Sequence, residues 1–588
     1  MTLLDALSAV VGEAFAAEGL DAAFGAVRPS DRPDLAQFQC NGALAAAKQQ
    51  KTNPRAIGEA VAKRLAALDL FADVGLAGPG FLNLTVTDAA LSDRLRALAG
   101  QADVGAWRSA SPESVVMDYG GPNVAKPLHV GHLRSAIIGE ALKRLFRAAG
   151  DAVVADVHLG DWGLQMGQLI SELELRRPDL PYFASPPAGP FPDEPPVTLS
   201  ELEELYPAAS AACKADPDRA DRARKATKAL QDGHAGYRAL WRGFVDLSVA
   251  SMRANYDDLG VSFDLWKGES DADPLIADLL EDLQTKGLLE VSDGAQIVRV
   301  ARDGDKKDVP PAMIVNSEGA VGYHATDVAT IVDRSRTIAP DRMLYVVDNR
   351  QALHFEQVFR VAAAAGYCAE DRLEHLGFGT MQGTDGKPFK TREGGVLKLR
   401  DLIDLVTARA DERLAQNGLA ADLDADARAA TARAVGVAAL KFADLSNQRT
   451  TDYVFDLDRF LAFEGKTGPY LLYAGVRVRS VLRKADARGA THDVADLSVA
   501  TPAERDLALV LLAYPEAMRQ AHAKRAPHHL CDHAYTLAQA FSKFYAADRI
   551  VDEADEPRRR ARLALTQTAG RQLDHCLDLL GIARPERM

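Results

Sequence analysis

The sequence predicts an α/β protein: a parallel-sheet domain with helical insertions, a small N-terminal α/β domain and an all-α C-terminal bundle. Three observations carry that expectation. Through the middle of the chain, short apolar runs of strand length alternate with amphipathic helical segments. Beyond about Lys398 almost every stretch has helical periodicity. At 588 residues the chain also exceeds what one hydrophobic core serves, so several domains are expected.

The elements follow in order. Residues 1–110 form the first domain, with helices over Leu3–Phe15 and Pro54–Leu70 beside β-like runs such as Phe81–Val86. Phe38–Lys48, "FQCNGALAAAK", reads as a helix after a turn, its alanines allowing close packing. The second domain, residues 111–400, opens with the buried-strand run Val115–Met117. A Gly-Gly-Pro-Asn turn follows, and then a helix that begins near Gly131 and carries Leu133, Ile137 and Ala141 at four-residue spacing. Gly150 closes it and Val153–Val157 resumes as a strand, which makes a right-handed crossover unit. The Pro-rich stretch Pro181–Pro196 introduces a helical insertion over about 180–260. Strand-like runs return at Gln296–Val300, Met313–Val315 and Met343–Val347. A helical connecting segment, 401–455, leads to the bundle of residues 456–588, with helices over Val476–Arg488, Thr501–Lys524 and His528–Arg549.

Composition narrows the function classes. With 47% hydrophobic and 26% charged residues the chain has the balance of a soluble folded protein, and no apolar run approaches the roughly 20 residues of a membrane span. Met1–Leu20 carries Asp5, Glu13 and Glu18 and no basic residue, the wrong chemistry for a targeting peptide. The five cysteines lie far apart, so neither disulfides nor a structural zinc are expected and a reducing cytoplasm fits. The net charge of −14 leaves a nucleic-acid partner open, because phosphate binding depends on the local field of one face.

Residues Gly120–Gly150 concentrate the chemistry. A helix N-terminus offers unpaired N–H groups and partial positive charge to phosphate. His129 and His132 flank that terminus, Lys126 lies just upstream, and Gly131 leaves room for a flat ring against the backbone. Together they read as a cationic cradle for a triphosphate, without a nucleophile or metal-ligand set.

The stretch Pro122-Asn123-Val124-Ala125-Lys126-Pro127-Leu128-His129-Val130-Gly131-His132 resembles the HIGH motif of class I aminoacyl-tRNA synthetases, in the form found in arginyl-tRNA synthetases. "HLGDWGLQMG" (158–167), "YDDLGVSFDLWKGES" (256–270), "VVDNRQALHF" (346–355), "FEGKTGPYLLYAGVRVRSVLRK" (463–484) and "LLGIARPERM" (579–588) are similar to segments of the same family, so the resemblance spans nearly the whole chain. It implies a Rossmann-type catalytic domain that binds ATP at this turn and activates L-arginine for transfer to tRNA(Arg). Charge then builds on phosphoryl oxygens, which His129, His132 and Lys126 are suited to stabilise. The arginine pocket implied by the resemblance comprises Asp118, Asn123, Tyr323, Asp327 and Gln351. A guanidinium pairs best with a planar carboxylate fork, and Tyr323 and Asp327 are four apart, on one helical face. Some relatives carry a longer glutamate where this chain has Asp118.

The same resemblance places a mobile phosphate-binding loop at "MQGTDGKPFKTREGG" (381–395), with Lys387, Lys390, Thr391 and Arg392 as ATP contacts. The family's KMSKS motif is absent in literal form, and Lys126 occupies the position thought to compensate. Mg2+ is expected with ATP, held mostly by phosphate oxygens. Residues 1–110 are similar to the additional domain that holds the tRNA elbow, and "TGPYLLYAGVRVRS" to the DALR-type anticodon-binding bundle. Tyr453, Tyr470, Arg477, Arg479, Arg483 and Lys484 are candidates for tRNA contact, with Tyr473 and Tyr545 as further rings. Further cations stand at Arg519, Lys524, Arg525, Arg558–Arg560 and Arg562. Relatives are commonly monomers and need bound tRNA before activation. Two other readings stay open at this level: a HIGH-type nucleotidyltransferase acting on a small molecule, against which the helical bundle counts, and a non-catalytic RNA-binding paralogue, against which the intact cradle counts.

Overall fold

A computed structural model describes residues 2–184, 189–383, 386 and 397–588. The chain forms two compact units: Met1–Ser109 with Leu414–Val435 and Ala462–Met588, and Ala110–Arg413 with Gly436–Leu461.

The second unit is built on a five-stranded sheet in which every pairing is parallel. Its strands are β1 (Ser114–Tyr119), β2 (Ala152–Leu159), β3 (Leu265–Gly268), β4 (Arg342–Val346) and β5 (Leu373–His375), in spatial order β3-β2-β1-β4-β5. The crossover helix α1 (Val130–Ala149) joins β1 to β2, as its four-residue apolar spacing predicts. Gly139 lets it seat on the sheet, since a side chain there would enter the Tyr119 ring. Between β2 and β3 come α2 (Leu164–Arg176) and the insertion helices α3 (Leu199–Ala215), α4 (Pro217–Gln231) and α5 (Ala235–Asp258). Helices α6 (Glu269–Thr285) and α7 (Tyr323–Thr337) lead to β4, and α8 (Ala352–Ala364) connects β4 to β5. Val116, Met343, Ile331, Val358 and Phe359 share the core on one side of the sheet.

Two of the predicted strands lie elsewhere. Ala295–Val298 and Ala312–Val315 pair antiparallel in a separate three-stranded sheet with Glu290–Ser292. Their apolar runs are as strand-like as β4, and only long-range pairing separates the two destinations. The predicted run 343–347 does join the parallel sheet, as β4.

In the other unit an antiparallel sheet orders Val27–Pro29, Phe38–Cys40, Phe81–Val86 and Phe71–Ala77. Phe38–Cys40 is thus a strand, and the helix expected over Phe38–Lys48 is confined to Gly42–Gln50. The N-terminal elements bond directly to the C-terminal helices of the unit. Arg505 forks onto Asp88 at 2.6 and 2.7 Å, and Gln572 donates to the Val104 carbonyl. Thr501–Lys524 divides into Pro502–Leu512 and Tyr514–Lys524, where Pro515 has no N–H for a continuous ladder. No helix among the described residues is long and apolar enough to cross a membrane.

Arg562, read from sequence as one of a run of surface cations, is buried. Its guanidinium bonds Glu504 at 2.8 Å, Asp548 at 2.8 Å and Glu553 at 2.6 Å. Arg562→Met strands the buried Glu504 carboxylate, so a loss of about 3–5 kcal/mol is expected. Thermal unfolding of the full chain, followed by circular dichroism, checks this; an unchanged melting transition refutes it.

Candidate active site

The order of strand addition reverses between β1 and β4, and ligands of such sheets lie outside the strand ends at the reversal. Both strands open there into polar turns. Gly120 takes φ +75°, a left-handed conformation that a side chain would strain, and turns the chain out of β1. Its N–H donates to Ser135 Oγ at 2.7 Å, and that hydroxyl donates to the Val346 carbonyl at 2.7 Å. One serine of α1 therefore ties the helix to the ends of both strands. Pro122 and Val124 pair with the backbone of Gly160 after β2. Pro127 and Leu128 then bring the chain to α1, where Leu128 and Val130 pair with the backbone at Leu399 and Leu397.

The two histidines form a reciprocal cap. His129 is the N-cap residue, its Nδ1 accepting the Gly131 N–H at 3.0 Å, while His132 Nδ1 accepts the His129 N–H at 3.1 Å. Both Nδ1 atoms are acceptors, so each neutral ring carries its proton on Nε2 as a donor. The rings lie 4.0 Å apart. The cradle's charge differs from expectation. Burial, with Lys126 and Arg350 nearby, lowers the His129 pKa, and burial beside His129 takes His132 to about 3. Both are neutral donors, and the positive charge comes from Lys126; Arg350, which sequence reasoning overlooked, lies near His129 but is paired with Asp348. The space beside Gly131 is also taken, since a Cβ there would lie 2.7 Å from His129 Cε1. The flat ring against that glycine is the chain's own.

Acidic residues gather along the same sheet edge. Tyr323 opens α7 and is 66% exposed, and Asp327, four residues on, meets His354 Nε2 at 2.5 Å. Glu269, at the start of α6, was missed by sequence reasoning. Burial, reinforced by Asp161 and Asp327, raises its pKa to about 8, and the Trp162 N–H offsets part of that. Among the described residues no lysine or arginine pairs with it. The signal for it was a lone acid at a strand-to-helix junction in "WKGES". Asn123 and Gln351 are exposed beside the cradle turn and the β4 end, and Asn123 Oδ1 faces Gln165 Nε2 at 3.5 Å. Asp118 departs from expectation. It is buried, and its Oδ2 pairs at 2.7 Å with Arg334, which also holds Asp156 at 2.7 Å. A protein guanidinium already occupies the acid assigned to a ligand.

Lys387, Lys390, Thr391 and Arg392 lie outside the described residues. Among the RNA candidates, Tyr453 is corrected. It is buried in the sheet unit, packed on Phe460 and under the Arg134 guanidinium, with no face for a base. Arg479 is committed to Asp574 and the Pro585 carbonyl. Arg477 lies 4.8 Å from the Tyr473 ring centre and 5.6 Å from that of Tyr545, and Arg483 and Lys484 are exposed beyond it. Tyr470 packs edge-on to Tyr535.

Comparison with known proteins decides the family. The model for the catalytic domain of class I tRNA synthetases (R) matches residues 96–457. The chain belongs to the arginyl-tRNA synthetases. The model for the arginyl-tRNA synthetase N-terminal domain matches residues 1–86, and that for the DALR anticodon-binding domain residues 471–588. Both fall in the compact unit that lacks the parallel sheet. A protein of Hyphomonas neptunium named arginine–tRNA ligase is 56% identical over 584 residues, 99% of each chain. One of the same name from Maricaulis maris is 53% identical over the full length of both. The fold is similar to solved arginyl-tRNA synthetases of Plasmodium falciparum (TM-score 0.80, 24% identity, 100% and 99% of the two chains) and Thermus thermophilus (0.77, 24%, 100% of both).

The neutral cap makes a measurable claim. An unfolded histidine takes up a proton near pH 6.5, whereas folded His132 resists until about 3, so acidification through that window favours unfolding. The His132 ring resonance of the native protein is expected to stay at its neutral position from pH 8 to about 5. A midpoint near 6.5 by NMR titration contradicts the burial.

Proposed function

We propose that the chain is an ATP-dependent arginine–tRNA ligase, which joins the L-arginine carboxylate to the α-phosphate of ATP, releases pyrophosphate and passes the arginyl group to the 3′ end of tRNA(Arg). The observation that carries it is the presence, at one sheet edge, of a donor cradle at a helix N-terminus and of a buried carboxylate, Glu269, that no cation among the described residues pairs with. Full-length identity of 56% to a named arginine–tRNA ligase supports the same reaction.

In this reading the Nε2–H groups of His129 and His132 donate to phosphate oxygens, and Lys126 supplies full charge as pyrophosphate leaves. No covalent enzyme intermediate is needed. Glu269, Asp327 and Tyr323 receive the guanidinium, whose arrival ionises Glu269 and releases a proton. Asn123 and Gln351 face the carboxylate and amino end. Asp118, shared with Arg334, forms the pocket floor. Lys387, Lys390, Thr391 and Arg392 remain candidates for the outer phosphates, with Mg2+ carried in by ATP. Arg477 between its two tyrosines, with Arg483 and Lys484, is the proposed tRNA surface, and activation is proposed to wait for tRNA.

Pyrophosphate exchange with each amino acid, with and without total tRNA, tests the reading. Exchange is expected for arginine, and only when tRNA is present; exchange for another amino acid, or none, refutes it. His132→Ala is expected to slow activation by roughly a hundredfold or more while tRNA affinity stays within about twofold. An equal loss of both removes the cradle role.

A further inference from the structure

Lys126 carries much of the cradle's charge, yet its position is set from outside the motif. Ala125 immediately before it sits at φ +61°, a left-handed backbone that costs alanine about 1 kcal/mol or more. Its buried N–H donates to Ser248 Oγ at 2.9 Å, so α5 of the helical insertion holds this turn. The Lys126 stem leaves from there, and its Nζ lies 4.6 Å from the centre of the Tyr206 ring on α3.

Three residues before Tyr206, on the same face of α3, Glu203 accepts from Lys398 Nζ at 2.6 Å. Lys398 is no bystander. It pairs with His129 across a short antiparallel bridge, with Val130 N–H donating to the Leu397 carbonyl at 3.1 Å and Leu399 N–H to the Leu128 carbonyl at 2.8 Å. One turn of α3 thus reaches both sides of the cradle: a carboxylate on the chain paired with His129, and an aromatic face on Lys126. The Tyr206 ring also lies close enough to Tyr323 to add to the rise of the Tyr323 hydroxyl pKa, behind burial and Glu269.

We propose that Tyr206 is a positioning residue for activation: its ring face holds the Lys126 ammonium over the cradle, and the helical insertion thereby sets the geometry of phosphate stabilisation. A flexible four-carbon stem has many rotamers, and a half-buried aromatic face selects among them without neutralising the charge, as a carboxylate partner would. The ammonium keeps its N–H groups for phosphate oxygens while the ring holds it from the other side. The inference rests on the reading of Lys126 as a phosphate-contacting cation.

The test changes the ring's electrostatics and leaves its shape nearly intact. Tyr206 is replaced by phenylalanine and by its mono-, di- and trifluorinated analogues in the full chain, and kcat and KM for ATP are measured in arginine-dependent pyrophosphate exchange with tRNA present. Phenylalanine is expected to stay within about twofold of the wild type, and each added fluorine to lower kcat, reaching about tenfold for the trifluorinated ring, with KM for arginine unchanged. A kcat that is flat across the series overturns the proposal, because a residue that only packs tolerates fluorine. Lys126→Ala measured alongside separates the two levels. A slow Lys126→Ala with a flat series removes Tyr206 alone, whereas Lys126→Ala at full rate removes the role of Lys126 beneath it and the proposal with it.

Discussion

The site depends on one buried guanidinium. Arg334, only 2% exposed, reaches from α7 to Asp118 on β1 and Asp156 on β2, each at 2.7 Å, and lies over the Tyr345 ring of β4. Burial pushes the Asp118 carboxyl up from its ordinary value, and Arg334 offsets part of that. Such a cluster adds little net stability over apolar packing, but it accepts few alternative geometries. Asp327 stands seven residues before Arg334 and Tyr323 eleven, so fixing one end of α7 to the sheet fixes where these two side chains stand. Asp118 in turn stands one residue before the end of the strand that runs into the cradle. The helix that carries Tyr323 and Asp327 and the strand that leads to the histidine turn are tied together by the same ion cluster.

A chain of net charge −14 still builds a local positive field, and it does so with few charges. The histidines are neutral donors whose tautomers are set by the cap they make. Lys126 brings the charge, while Arg350 beside it is clamped on Asp348 at 2.8 and 2.9 Å, which offsets its own. On the same side of the sheet stands Glu269, whose carboxyl is pushed up to about 8 by burial and, less, by Asp161 and Asp327. Separated fields of opposite sign on one sheet edge suit a substrate with a cationic tail and a partner with an anionic one.

Much of this was legible along the chain wherever the signal was local. The apolar run at Val115–Met117, the four-residue spacing of Leu133, Ile137 and Ala141, and Gly150 place β1 and α1 where they stand, and the pair of histidines marks the helix start. Local signals also misled. The run at Met313–Val315 has the composition of β4 but pairs in another sheet, Tyr453 has the ring of a stacking residue but lies in a core, and Arg562 has the charge of a surface but the partners of an interior.

What the sequence by itself determined is the set of elements, the cradle turn and the family's chemistry, because helix caps, strand periodicity and motif spacing act over a few residues. Only the tertiary structure decided the protonation of the histidines, the capture of Asp118 by Arg334, and the entry of Glu269, Arg350 and Tyr206 into the site. These depend on burial and on partners about 60 to 220 residues away, and loop closure over such distances leaves no trace in local pattern. A side chain's charge, and what it is free to hold, belong to its surroundings rather than to its place in the chain.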